Sequence, residues 1–176
     1  WKSAEQLQGK ELSYNNLLDL ESALSTVLEF GYETKPNVEN KSAATVILKH
    51  NNPCGASISH STCDSFKNAL KCDSVSAFGG IVAFNANVDA ETALNLKDIF
   101  LECVVAPSFD KEALEIFKTK KNLRVLKLPK SIIPKGNQTC SKSIMGGILI
   151  QDSDKKESNE DSWISVTKNA PNAQEY

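Results

Sequence analysis

Arg124 is the only arginine among 176 residues. Phosphate read through paired bidentate guanidinium groups is therefore excluded for this chain acting alone. Neither sign of charge is in excess: 20 Lys and Arg stand against 22 Asp and Glu, a net of −2. That balance argues against a general nucleic-acid binder and against a basic membrane-surface protein. No apolar run approaches the roughly 18 residues of a membrane span, and no charged-then-apolar leader opens the chain. Histidine is scarce, with only His50 and His60. The five cysteines (Cys54, Cys63, Cys72, Cys103 and Cys140) are odd in number and widely spaced, with no CxxC. Reduced thiols in a cytoplasmic protein are the expectation, and a zinc site is the minor alternative.

What is present suits a folded domain. Apolar residues make up 40% and charged residues 24%, enough for a core and unlike a disordered chain. The length fits one domain, or one domain plus a tail. The first residue is Trp1 rather than Met, so a piece of a longer polypeptide is expected.

Apolar spacing from Leu17 to Phe30 predicts a helix, with Asn15 or Asn16 as cap and Gly31 as stop. Lys35-Pro36-Asn37 breaks that pattern. Ala43 to Leu48 (AATVIL) is apolar and rich in β-branched residues, as a buried strand requires. Lys49 to Gly55 (KHNNPCG) reads as a loop. Ser61-Thr62-Cys63-Asp64 resembles a capping box for a helix to about Lys71.

Ser76 to Gly80 (SAFGG) is a glycine turn into a strand at Ile81 to Phe84. Asp89 can cap a helix through Leu96. Strands are expected at Leu101 to Ala106, Leu123 to Leu128 and Gly147 to Gln151, with a helix at Asp110 to Lys118 and a loop bearing Pro129 and Pro134. This alternation predicts an α/β layer with a largely parallel or mixed sheet and flanking helices. The expected division is residues 1–151 as the domain and 152–176 as a polar linker or tail. DSDKKESNED is the tail's clearest stretch, and Trp163, Ile164 and Val166 could dock.

The strongest chemical signal is KHNNPCG at the end of a buried strand. Loops at strand C-termini form the ligand crevice of open α/β sheets. Lys49 beside His50 sets a cation next to a titratable base, and the positive neighbour disfavours imidazolium. A solvated pair is the plain alternative to a catalytic one. Gly79 in SAFGG could admit a ligand close to the backbone or simply make a tight turn, with Phe78 beside it. Glu102 is out of pattern in an apolar strand, as a salt-bridged edge residue or as a ligand group.

Zinc base deaminases use H-x-E followed by P-C-x-x-C. Here His50 is followed by Asn51 and Asn52, and Pro53-Cys54 is followed at position 57 by Ser57. The glutamate and the second cysteine are missing, so zinc has too few ligands.

Several segments occur together in order: GKELSYNNLLDLESAL, VILKHNNPCGASI, SVSAFGGIVAFN, VVAPSFDKEALEIF and GGILIQD. From about Gly9 to Asp152 they resemble the transformylase part of the AICAR transformylase/IMP cyclohydrolase family. The resemblance implies a cytidine deaminase-like fold without catalytic zinc. It implies formyl transfer from 10-formyltetrahydrofolate, as co-substrate, to the 5-amino group of AICAR, giving FAICAR for closure to IMP in purine biosynthesis.

By position, His50 matches the family's proton acceptor and Lys49 its transition-state stabiliser. Gly79 and Glu102, with Phe78, match AICAR-binding positions, and Asn16 matches a nucleotide contact. The resemblance also implies a homodimer with sites at the subunit interface, and no metal requirement. The family's nucleotide-binding Arg-Tyr-Gly segment, its later half and its cyclohydrolase domain have no counterpart here, so an internal fragment holding part of one site is expected. A zinc deaminase-like hydrolase and a non-catalytic fragment are the alternatives.

Overall fold

The computed structural model describes residues 1, 3–32, 43–133, 139–153 and 162–172. The Lys35-Pro36-Asn37 break, Pro134 and most of DSDKKESNED lie outside the described residues. By compactness the chain forms two units, Trp1–Ile133 and Pro134–Tyr176. The polarity change at Asp152 thus falls inside the second unit.

The first unit is built on a six-stranded sheet. In chain order its elements are β1 (Glu5–Gln8), α1 (Tyr14–Leu28), β2 (Ala43–Lys49), β3 (Asn52–Ser59), α2 (Thr62–Cys72), β4 (Gly80–Phe84), α3 (Ala90–Leu96), β5 (Leu101–Ala106), α4 (Lys111–Phe117) and β6 (Arg124–Lys127). The spatial order is β1-β6-β5-β4-β2-β3. Strands β4, β5 and β6 are parallel, joined through α3 and α4, because parallel neighbours need a crossover connection. Strand β2 runs antiparallel to both β4 and β3, and β1 is antiparallel to β6. The expected α/β class holds, with a mixed sheet.

Why the central strands read as unbroken apolar runs follows from burial on both faces. Val46, Leu48, Ile81, Ala83, Cys103 and Val105 face one cluster, which α1 covers with Leu20, Ala23, Leu24 and Val27. Their alternating neighbours Ile47, Val82, Phe84, Val104 and Ala106 face the other. There Phe66 of α2, Ala93 of α3 and Phe117 of α4 close the layer. Every one of these side chains is buried.

Several boundaries differ from expectation for physical reasons. Helix α1 starts at Tyr14, and its cap is Ser13, not Asn15 or Asn16. The Ser13 hydroxyl accepts the Asn16 N–H at 3.1 Å, while the Asn16 side-chain oxygen accepts the Ser13 N–H at 3.1 Å, a reciprocal capping box. Ser61 and Asp89 cap α2 and α3 as expected.

The supposed loop from Lys49 to Gly55 is a hairpin: β2 runs through Lys49, His50 and Asn51 turn the chain, and β3 begins at Asn52. Pro53 misled because proline is tolerated in an edge strand at a register irregularity, and β3 is both. Gly55 misled because it marks a close approach: a Cβ there would overlap the Ala69 carbonyl of α2. Strand β1 (EQLQ) is a polar edge strand with no apolar signature.

The second unit contains a two-stranded antiparallel sheet, β7 (Thr139–Ile144) and β8 (Gly147–Asp152). The expected last strand therefore exists, but it pairs with the unforeseen polar β7 instead of joining the main sheet. Trp163, Ile164 and Val166 are exposed.

All five cysteines are free thiols. Burial pushes the Cys103 thiol up to about 12 from 9.0, and burial also raises Cys54 and Cys63. A disulfide reagent at pH 8 should label Cys72 and Cys140, the two exposed thiols, first. Cys103 should stay protected until the chain unfolds, and labelling of Cys103 as fast as Cys72 would contradict this packing.

Stability follows the same shift. Between 9.0 and about 12 the unfolded Cys103 loses its proton while the folded one keeps it. Its contribution is full below 9.0 and falls with rising pH, by at most about 1.4 kcal/mol per pH unit. Denaturant titrations from pH 8.5 to 11 should give a shallower decline for Cys103→Ala than for the parent, whatever the variant's starting stability.

Candidate functional site

The site grows from the end of β2. Lys49 pairs with Asn52 across the hairpin, which leaves only His50 and Asn51 to reverse the chain. Their φ angles are 54° and 62°, both left-handed. Left-handed φ at both central positions matches the turn that suits the twist of paired strands. For a residue with a Cβ this conformation costs about 1–2 kcal/mol, and His and Asn are among the side chains that tolerate it best.

Contacts from α1 offset the cost. The Asn51 N–H donates to the Asp19 carboxylate at 2.8 Å. With its amide turned to satisfy its neighbours, the Asn51 side-chain nitrogen donates to the Leu18 carbonyl and the Ser22 hydroxyl, both at 3.1 Å, and to Asp19 at 3.2 Å. The Asn52 amide closes the turn on the His50 carbonyl at 3.0 Å.

A second turn meets the first. The Lys49 ammonium donates to the Phe78 carbonyl at 2.6 Å. Gly79 has φ 73°, where glycine alone is unstrained, and its N–H donates to the Phe100 carbonyl at 2.7 Å. The Phe78 ring is exposed and lies 5.1 Å from that of Phe100.

Glu102 is the second residue of β5, and Arg124 begins β6, the neighbouring strand. Their side chains form an ion pair at 2.7 Å, with Arg124 at 12% side-chain exposure and Glu102 at 40%. Both readings of Glu102 meet here: it is salt-bridged, and it also faces a cavity. Arg124 further donates through Nε to the Glu11 carbonyl at 2.9 Å.

These groups surround a cavity of about 460 Å³. Asn16, His50, Gly79 and Glu102 line it, so four of the six expected site residues come together there. Lys49 and Phe78 are not part of this lining; a hydrogen bond joins them to each other. Ser13, Asp19 and Arg124 also line the cavity and were not anticipated. Arg124 did carry a signal, being as out of place at the head of an apolar strand as Glu102. Asp19 carried none, since a polar residue on a surface helix is ordinary.

The sheet edge differs from expectation. Lys49 lies at the C-terminal end of β2, but the parallel strands bring their N-terminal ends, Gly80, Leu101 and Arg124, to the same edge. The antiparallel setting of β2 is the reason. A neighbouring cavity of about 550 Å³ shares Glu102 and Arg124 and adds Lys10, Phe100, Lys120 and Lys121. It is the larger of the two but touches neither Lys49 nor His50; of the two, only the smaller is lined by His50.

The cavity thus has an imidazole, an ion pair and amide groups in its lining, and the Lys49 ammonium, next in sequence to His50, is held on the Phe78 carbonyl outside that lining. Among the described residues, no group of three or more His, Cys, Asp or Glu side chains is placed to hold a metal ion.

Comparison with known proteins identifies the family. The chain is 84% identical over its whole length to the bifunctional purine biosynthesis protein PurH of Prochlorococcus marinus strain MIT 9515, covering 34% of that protein. The PurH proteins of strain CCMP1986 and strain MIT 9313 are 73% and 51% identical over 100% and 99% of this chain, each again covered to 34%. The chain thus spans about a third of the length of these relatives. Among solved structures, Acinetobacter baumannii RibD gives a TM-score of 0.45 at 16% identity over 64% of this chain and 36% of its own, too slight a likeness to argue from. A sequence profile of the AICARFT/IMPCHase bienzyme matches residues 1–176, and the chain belongs to that family.

Proposed function

We propose that this chain supplies part of a formyl-transfer site within the purine-biosynthetic family to which it belongs. The carrying observation is His50 on a braced turn, facing a cavity with Gly79 and Glu102, while the adjacent Lys49 ammonium is anchored on the Phe78 carbonyl. The substrates are AICAR and 10-formyltetrahydrofolate. Residues 1–151 form the partial transformylase domain, and the polar stretch from 152 leads toward the rest of a longer cytoplasmic, homodimeric polypeptide.

The chemistry asks for these groups. The 5-amino nitrogen of AICAR is conjugated with its ring and is a poor nucleophile. As it forms a bond to the formyl carbon it must lose a proton, and His50 takes it. Negative charge develops on the formyl oxygen as the carbonyl opens. Lys49 spends one N–H on Phe78 and has two left to meet that charge. The bond from the formyl carbon to the folate nitrogen then breaks, and that nitrogen takes up a proton, giving FAICAR and tetrahydrofolate. Lys49, as an ammonium, is a candidate donor of that proton in place of its role at the formyl oxygen. Gly79, Glu102 and Asn16 hold the nucleotide so that its amine is in line, and such positioning can supply much of the rate.

In the full-length polypeptide, His50→Ala should lower kcat by roughly 10²–10⁴-fold, the usual loss for a general base, with AICAR affinity little changed. Lys49→Ala should also lower kcat, because charge stabilisation acts mainly in the transition state. Lys49→Arg should recover little, since a planar guanidinium places its charge differently. The two losses should be less than additive, as both groups serve one step. A double-mutant cycle on kcat, with AICAR Kd measured separately, checks this. Near-normal kcat with weakened AICAR binding in His50→Ala would make His50 a binding residue and end the catalytic assignment.

A further inference from the structure

We propose that Asp19 is a positioning residue for the reaction: its carboxylate holds the left-handed turn that aims His50 into the cavity. The inference rests on the formyl-transfer reading for its kinetic consequence, but the clamp is a structural feature in its own right.

The His50 ring receives no hydrogen bond among the described residues, so its place is set by the backbone beneath it. That backbone is held at φ 54° and 62° on consecutive residues, a conformation that persists only where its surroundings enforce it. The enforcing contacts come from one helix. Asp19 accepts the Asn51 N–H at 2.8 Å, and Leu18, Asp19 and Ser22 receive the Asn51 amide. The backbone bond, at 2.8 Å, is the shortest of the set.

The helix can serve as an anchor because Leu20, Ala23, Leu24 and Val27 are buried in the core beside β2 and β4. Asp19 is adjacent to Leu20 and is therefore fixed by that packing. No hydrogen bond joins Asp19 to the imidazole itself, so Asp19 acts through Asn51 and not as a direct partner of the base. A shift of about 1 Å in a reacting group can cost on the order of 10²-fold in rate, which makes the turn's precision consequential.

The test compares Asp19→Ala and Asp19→Asn in the full-length polypeptide, with His50→Ala alongside. In Asp19→Ala, kcat should fall about 10- to 100-fold while the AICAR KM stays within about threefold. Asp19→Asn keeps an oxygen that can accept the Asn51 N–H, and its kcat should stay within about threefold of the parent. Hydrogen exchange at the Asn51 amide, read by mass spectrometry with fragmentation of the turn peptide, should quicken about tenfold in Asp19→Ala but not in Asp19→Asn, the loss expected for one hydrogen bond.

If Asp19→Asn is as damaging to kcat as Asp19→Ala, charge and not bracing is at work and the positioning role is overturned. Unchanged Asn51 exchange in Asp19→Ala overturns the clamp, even if His50→Ala confirms the base. If His50→Ala leaves kcat intact, the formyl-transfer reading fails, while quickened Asn51 exchange still upholds Asp19 as the holder of the turn.

Discussion

Strand β2 runs against the direction of β4, and the site depends on that reversal. A strand of 7 residues spans roughly 20 Å. Were β2 parallel to β4, its C-terminal end, with Lys49 and His50, would lie about that far from the edge where Gly80, Leu101 and Arg124 begin their strands. The reversal also lets β3 follow after only two residues, since antiparallel neighbours need no crossover. A two-residue connection in turn demands left-handed backbone at both positions. His50 thus sits on the most constrained point of the hairpin, and one topological choice produces both its location and the geometry of its turn.

The other side of the cavity is organised by Arg124. With side-chain exposure of 12%, its guanidinium has little water and needs protein partners. Glu102 supplies the charge, and the Glu11 carbonyl takes another N–H. That second bond ties the head of β6 to the segment that leads into α1. The Ser13–Asn16 capping box follows immediately, and both its members line the same cavity. The sole arginine of the chain therefore joins two strands and the approach to a helix start around the cavity. Its role here is to assemble the wall, consistent with a chain that has too few guanidinium groups to read a phosphate alone.

The sequence showed some of this directly and hid the rest for definable reasons. The apolar runs at AATVIL, IVAF and LECVVA marked the central strands because both sheet faces are covered, and Ser61 and Asp89 marked helix starts because capping needs a short polar side chain. The strand after His50 was hidden by Pro53 and Gly55, which punctuate most chains but here suit an edge position and a close helix contact. The two polar strands, β1 and β7, lacked any apolar period. Within the site, Lys49, His50, Gly79 and Glu102 stood out because each breaks its local pattern. Asp19 obeys its local pattern, so its partnership with Asn51, 32 positions away, is visible only in three dimensions.

The glycine turn admitted two readings, ligand approach or tight geometry, and the structure shows the tight geometry. A Cβ on Gly80 would lie 2.9 Å from the Leu48 carbonyl and 3.0 Å from that of Ala77, so the turn can press against the end of β2 only with glycine there. Gly79 takes the left-handed φ that aims its own N–H at Phe100. Together they set the Phe78 carbonyl within 2.6 Å of the Lys49 ammonium. The cation is thereby fixed by backbone on a neighbouring turn, at no cost of a second side chain's rotamer freedom. Gly79 meanwhile adds no side chain of its own to the cavity. The close turn is what holds the Lys49 ammonium in place beside His50.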